Sequence, residues 1–173
     1  MSAVARRLIV VSSLVAVLLA GSAPARSEHL VPYVASAQRC LPANLTCAYV
    51  QFELRYHFLL NVGIYTLRSF GFANVLLVPG SFEERISVTD PGGVLLYEDS
   101  DACAWGINGG GCAVQLDDRI FQVPESLGCT VPLTVDVSGT ARAIDDPILR
   151  LIPVNARLTR TLRLCPDGTV LQL

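Results

Sequence analysis

The strongest constraint on the fold is a strict alternation of apolar and polar side chains between Val50 and Ile64. The apolar positions are Val50, Phe52, Leu54, Tyr56, Phe58, Leu60, Val62 and Ile64, and the polar positions between them are Gln51, Glu53, Arg55 and His57. A period of two is typical of a half-buried β-strand, whereas a helix would spread the polar residues around its circumference. Because this segment is long for one strand, we expect a bulge or turn at Asn61–Gly63.

Shorter alternating segments follow along the chain, and turn residues separate them. They are Asn74–Val78, Arg85–Thr89, Val94–Tyr97, Ala113–Leu116, Ile120–Val123, Val131–Val137 and Ile152–Leu164. Tyr65–Phe72 fits a short helix or a strand equally well. Seven to nine strands, most with one apolar face, predict an all-β fold in which two antiparallel sheets face each other as a β-sandwich.

The N-terminal residues have the organisation of a secretory signal peptide. Arg6 and Arg7 form a short basic region, an apolar run covers Leu8–Ala20, and Ala23–Ala25 resembles a cleavage site. A membrane anchor is the alternative, but the apolar run is short for a membrane span. We therefore expect a signal peptide at 1–25 and a single domain at 26–173, located outside the cell or in the lumen of the secretory or endolysosomal pathway.

Charge argues against nucleic acid as a partner. Cleavage would remove two of the 13 basic residues, Arg6 and Arg7, and none of the 15 acidic residues, which leaves a net charge near −4. The sequence contains no lysine, and its arginines are scattered. A weakly acidic chain of this kind lacks the basic surface that nucleic-acid binding requires.

Six cysteines after a signal peptide predict a disulfide framework. They are Cys40, Cys47, Cys103, Cys112, Cys129 and Cys165, and the sequence alone leaves their pairing open. Cys103 and Cys112 bracket eight residues that are rich in glycine, so we interpret this stretch as a disulfide-closed loop. The loop has either a functional role or no role beyond stabilising the fold. Asn44, in an Asn-Leu-Thr triplet, is a candidate glycosylation site.

No arrangement of residues predicts catalysis, a cofactor or a metal site. The two histidines, His29 and His57, have no carboxylate partner at a suggestive spacing, and no serine has the context of a nucleophile. Acidic residues cluster at 98–101 and 117–118, but without the spacing of a calcium loop, so solvated loops are the better interpretation. We expect a binding protein and not an enzyme.

A surplus of large apolar side chains leaves two possibilities for the interior. If the facing sheet is as bulky as the stripe from Phe52 to Leu60, the sheets cannot close fully, and an apolar cavity between them would hold a lipid-like ligand. Otherwise the core is solid.

The disulfide loop resembles that of the ML (MD-2-related lipid-recognition) family, which includes the NPC2-like secreted lipid-binding proteins. Cys103-Ala-Trp-Gly-Ile-Asn, followed by Cys112-Ala-Val-Gln-Leu-Asp-Asp, is similar to the family's Cys-x-x-Gly-Ile-x loop and the polar turn after it. Cys40–Cys47 before a long strand resembles the family's short N-terminal loop, and 145–154 resembles its last hairpin. The chain lacks both cysteines of one family disulfide, and Cys129 and Cys165 have no family counterpart.

The resemblance implies an immunoglobulin-like sandwich with a lipid pocket between its sheets. It implies the pairs Cys40–Cys47 and Cys103–Cys112, and leaves Cys129 to pair with Cys165. The ligand would be a sterol or fatty-acyl lipid, with a membrane or receptor protein as a possible transfer partner. The expected lining consists of Phe52, Leu54, Tyr56, Phe58, Leu133, Val135 and Val137, with Trp105 and Ile107 near the mouth. The alternative function is a secreted, disulfide-stapled interaction module with a solid core, which recognises a protein or a glycan.

Overall fold

The computed structural model describes residues 32–41, 46–75, 78–107, 110–144 and 153–173. The expected signal peptide, the glycosylation site at Asn44 and most of the hairpin at 145–154 lie outside these ranges. The strands are β1 (Tyr33–Cys40), β2 (Thr46–Leu59), β3 (Val62–Val75), β4 (Gly80–Thr89), β5 (Leu95–Trp105), β6 (Gly110–Gln115), β7 (Arg119–Pro124), β8 (Leu133–Ala143), β9 (Val154–Leu164) and β10 (Val170–Gln172).

The strands form two five-stranded sheets. The first sheet has the order β1-β2-β3. The far edge of β3 pairs with two strands, β7 along its first half and β6 along its second half. The second sheet has the order β10-β9-β8-β4-β5. Every strand pair is antiparallel. This architecture confirms the predicted all-β sandwich.

The long alternating segment is a hairpin and not one strand. β2 and β3 pair in continuous register from Thr46↔Val75 to Leu59↔Val62. The two residues of the turn, Leu60 and Asn61, have positive φ angles of 49° and 64°, as a type I′ turn requires. The turn therefore falls next to the expected position, and the ambiguous segment after it is strand.

Glycines let the two sheets approach closely at the centre of the sandwich. A Cβ atom on Gly139 of β8 would lie 2.6 Å from Val50 Cγ1 in the opposite sheet and 2.7 Å from the ring of Phe82 on β4. A Cβ atom on Gly71 of β3 would lie 2.7 Å from the same ring. Phe82 is fully buried and occupies the space that these two residues leave. Gly71 thus faces Phe82, and Gly139 faces Val50, so that the two sheets pack without a gap at the centre of the sandwich.

Three disulfides stabilise the sandwich, and they join the expected cysteines. Cys40–Cys47 connects the paired ends of β1 and β2. Cys103–Cys112 links β5 at the edge of the second sheet to β6 in the first, so it fastens the two sheets together. Cys129–Cys165 ties the segment before β8 to the end of β9. Three disulfides indicate folding in an oxidising compartment.

Candidate functional site

Most residues expected to line a lipid pocket lie in the packed core. Phe52 and Leu54 of β2 are buried against the second sheet, and Leu133, Val135 and Val137 of β8 are buried in the same cluster. The alternation thus places these side chains between the sheets, as the sequence analysis expected. They belong to the same core in which Phe82 fills the gap left by the glycines.

The remaining four expected residues have separate locations. The hydroxyl of half-buried Tyr56 donates to the carbonyl of Pro166. Phe58 is 43% exposed, because the β2–β3 hairpin extends beyond the last β1 pair at Tyr33. Trp105 is buried, and its Nε1 donates to the carbonyl of Val78 at 3.0 Å. Ile107 is 78% exposed. Phe58 and Ile107 therefore lie outside the core, and Trp105 lies inside it and not at an open mouth.

A carboxylate lies inside the sandwich. The Glu84 side chain on β4 is fully buried. Its Oε1 accepts a hydrogen bond from the Ser69 hydroxyl of β3 at 2.5 Å, while its Oε2 has no partner among the described residues. Burial is the main cause that raises the pKa of Glu84 to about 7, and the hydrogen bonds from Ser69 and the Gly71 backbone oppose that rise. The nearby charge of Asp99 adds to it.

Three aromatic side chains lie next to one another on the outer face of the first sheet. Tyr49 of β2 is directly opposite Phe72 of β3, and their rings stack with centroids 5.0 Å apart. Phe70 lies two residues before Phe72 on β3, and the centroids of their rings are 6.2 Å apart. Phe70 and Phe72 are 36% and 37% exposed. We call these three residues the aromatic face.

Amide side chains surround the aromatic face. Gln38 on β1 pairs with Tyr49, Gln51 on β2 pairs with Phe70, and Gln115 on β6 pairs with Phe70 from the other side. Asn74 follows Phe72 on the same face of β3 and is exposed. Each amide carries both donors and an acceptor. The sheet thus presents apolar ring surface with hydrogen-bonding groups on its sides.

A charged network borders the aromatic face. Arg68 of β3 donates to both carboxylate oxygens of Asp118, at 2.9 and 2.7 Å. This contact lowers the pKa of Asp118 and raises that of Arg68. Arg55 donates to Glu53 at 2.7 Å, and Glu53 lies opposite Arg68. The pair of Arg68 and Glu53 lies four residues along β3 from Phe72 on the same face. The two positive and two negative charges cancel, so these groups offer directed hydrogen bonds without a net charge.

A different surface, at the end of the sandwich, is apolar and exposed. Phe58, Leu59 and Leu60 form the tip of the β2–β3 hairpin, and Leu60 is 87% exposed. Exposed Leu127 lies in the turn after β7, which is held to the tip by the bond from the Glu125 N–H to the Asn61 carbonyl. We call Phe58, Leu59, Leu60 and Leu127 the apolar end.

The aromatic face was missed by the sequence analysis, although a signal was present. Phe70 and Phe72 alternate with Ser69, Gly71 and Ala73, so a strand would place both rings on one face and small residues on the other. The segment was ambiguous between helix and strand, and only the pairing of β3 with β2 brings Tyr49 beside Phe72.

Comparison with protein-family models gives no match, and comparison with curated proteins gives none either. The class of this protein therefore follows from its fold, which is an antiparallel β-sandwich with three disulfides. Within the described ranges no helix is long and apolar enough to cross a membrane.

Proposed function

We propose that this protein is an extracellular recognition module that binds glycans, without catalysis, through the aromatic face of its first sheet. The observation that carries the proposal is the group of Tyr49, Phe70 and Phe72 on a sheet surface, in which half-buried Tyr49 stacks against exposed Phe72. Exposed apolar surface of this kind, rimmed by polar residues, is typical of an interaction site. The three disulfides are compatible with a protein that functions outside the cell.

The chemistry of the aromatic face suits a sugar ring better than a purely apolar partner. One side of many pyranose rings presents C–H groups, which are attracted to the electron-rich face of an aromatic ring. The hydroxyl groups at the ring edge need hydrogen-bond partners. The Oε1 atom of Gln51 already accepts from the Tyr49 hydroxyl at 2.5 Å, so Gln51 offers its Nε2 group. Further amide groups around the aromatic face belong to Gln38, Gln115 and Asn74.

An internal lipid pocket receives less support from the packing. At the level of Gly139 and Gly71, a single added Cβ atom would already meet Val50 or Phe82 at 2.6–2.7 Å. A sterol or acyl chain has no space there unless the sheets separate. The solid-core interaction module is accordingly our main proposal.

The proposal is tested by affinity measurements with defined oligosaccharides. We expect the full secreted protein to bind at least one of cellohexaose, chitohexaose, laminarihexaose and mannohexaose in isothermal titration calorimetry. Phe72→Ala should weaken binding by about 1 kcal/mol, or roughly fivefold, because it removes one ring contact. Ile120→Ala, which truncates an exposed residue on the same sheet face away from the rings, should leave affinity unchanged. Equal affinity of Phe72→Ala and wild type would contradict the proposal.

Lipid contact is a second candidate, and one specific observation favours it. The apolar end exposes four large side chains at one end of the sandwich. Such an exposed apolar surface is suited to contact with a lipid surface. The test is flotation of the protein with phosphatidylcholine vesicles. Lipid contact predicts co-flotation that Leu60→Asn abolishes, whereas protein that stays at the bottom of the gradient would exclude this role.

A further inference from the structure

A groove lined by charged and hydroxyl side chains, together with the apolar side chain of Leu95, crosses the outer face of the second sheet, on the side of the molecule opposite the aromatic face. Its volume is about 550 Å³, which lies in the range of small-ligand sites. The residues that matter for its chemistry are Arg85, Ser87, Glu98, Asp136, Ser138 and Arg157.

The strand register explains how the groove is built. Ser138 of β8 lies between Arg85 of β4 and Arg157 of β9, and it is paired with both. Serine is small, so the two arginines form walls and Ser138 forms part of the floor. Thr140 continues the floor two residues along β8. A row of long, short and long side chains on neighbouring strands therefore produces the concave surface.

Each wall of the groove is held by an ion pair. Arg157 donates from Nε to Asp136 Oδ1 at 3.0 Å, and Arg85 pairs with Glu98 across β4 and β5. The side chains of Arg85 and Arg157 remain 62% and 69% exposed, so N–H groups are left over for a ligand. Two positive and two negative charges cancel.

This balance decides which ligand suits the groove. A phosphate or an acidic peptide would be attracted to the arginines but repelled by the paired carboxylates. A neutral ligand with many hydroxyl groups can instead accept from guanidinium groups and donate to carboxylates, and it can do both with Ser87, Ser138 and Thr140. Saccharides have this combination of groups.

We propose that the groove is a second saccharide-binding site, so that one domain links two glycan chains from its opposite faces. The linking role rests on the proposed function of the aromatic face, whereas the groove can bind by itself. Two sites that engage different chains would hold a glycan network together more strongly than either site alone, because the second contact becomes intramolecular.

The experiment uses the full secreted chain and the same four hexasaccharides. Calorimetry should give about two hexasaccharides per wild-type protein, and beads coated with the bound sugar should agglutinate. Ser138→Tyr fills the floor of the groove and should reduce the stoichiometry to about one and abolish agglutination. Asp136→Asn keeps the side-chain shape and should weaken the groove site about tenfold. Glu125→Gln, on an exposed residue of the turn after β7 and away from the groove, is the matched control.

The outcomes separate the two proposals. A wild-type stoichiometry of one, with an affinity that Phe72→Ala weakens and that Ser138→Tyr and Asp136→Asn leave unchanged, would overturn the groove and support the aromatic face. Binding that depends on Ser138 and Asp136 but not on Phe72 would support the groove and overturn the aromatic face. Binding of a sulfated hexasaccharide in the groove, with no neutral sugar bound there, would overturn the assignment of a neutral ligand. No binding of any probe would overturn both proposals.

Discussion

Replacement of Glu84 by glutamine should remove a pH-dependent loss of stability. The carboxyl group is fully buried, and its pKa is raised from 4.5 to about 7, chiefly by burial. A carboxyl whose folded-state pKa is raised binds its proton more tightly in the folded protein than in the unfolded one. Folding is therefore most favourable below pH 4.5, and stability is lost as the pH rises from 4.5 to 7.

The size of this effect follows from the two pKa values of Glu84. Each pKa unit corresponds to 1.36 kcal/mol, so the shift from 4.5 to about 7 represents a loss of about 3 kcal/mol at pH 8 relative to pH 4. Glutamine has nearly the same shape and still presents an oxygen to the Ser69 hydroxyl, but it cannot ionise. Glu84→Gln should thus gain about 3 kcal/mol relative to wild type between pH 4 and pH 8.

The assay is guanidinium unfolding of wild type and Glu84→Gln at half-unit steps from pH 4 to pH 8. The difference in unfolding free energy between the two proteins cancels the titration of all other groups. Glu83→Gln, an exposed neighbour on β4, serves as the matched control for the same change of side chain at the surface. A difference between wild type and Glu84→Gln that changes by less than about 1 kcal/mol over this range would refute the reasoning.

Three further predictions concern stability. Leu60→Asn should raise the unfolding free energy by about 1 kcal/mol, because Leu60 is exposed and has a positive φ that asparagine tolerates better; an unchanged denaturation midpoint would contradict this. Gly139→Ala should cost about 1–3 kcal/mol through overpacking, while Gly106→Ala, with open space around it, should be nearly neutral in the same unfolding assay. Replacing Cys129 and Cys165 by serine should lower the unfolding free energy by about 4 kcal/mol, whereas replacing Cys40 and Cys47 should lower it by about 2 kcal/mol. The first disulfide closes a loop with a sequence separation of 36 and the second one of 7, and the longer loop gains more entropy on unfolding when its disulfide is removed. Calorimetry that ranks the two variants in the reverse order would contradict the loop-length argument.

Local patterns were sufficient to predict much of the fold. The period of two at Val50–Ile64 predicted a half-buried strand, and the bulge or turn expected at Asn61–Gly63 overlaps the observed turn at Leu60 and Asn61. The inward position of Glu84 also had a signal, since it shares the parity of buried Ile86 and Val88 on β4. Parity alone does not predict this burial, because a carboxylate is seldom found in a core.

What the sequence left open depends on contacts between distant segments. Phe58 continues the apolar stripe, but its burial depends on how far the neighbouring strands reach, and β1 stops short of it. The closure of the core depends on Gly71 and Gly139 lying opposite Phe82 and Val50, which only the packing of the two sheets determines. The aromatic face and the groove both arise from register between strands, which no single segment encodes.

The most direct test of the proposed function is a nuclear magnetic resonance titration of the ¹⁵N-labelled protein with the four hexasaccharides and, separately, with oleate. Glycan recognition by the aromatic face predicts that a hexasaccharide shifts the amide signals of Tyr49, Phe70 and Phe72, while those of core Val137 stay in place. Oleate should leave the core signals unchanged. Shifts of Val137 and its core neighbours with oleate, and none at the aromatic face with any sugar, would contradict the account and restore a lipid pocket between the sheets.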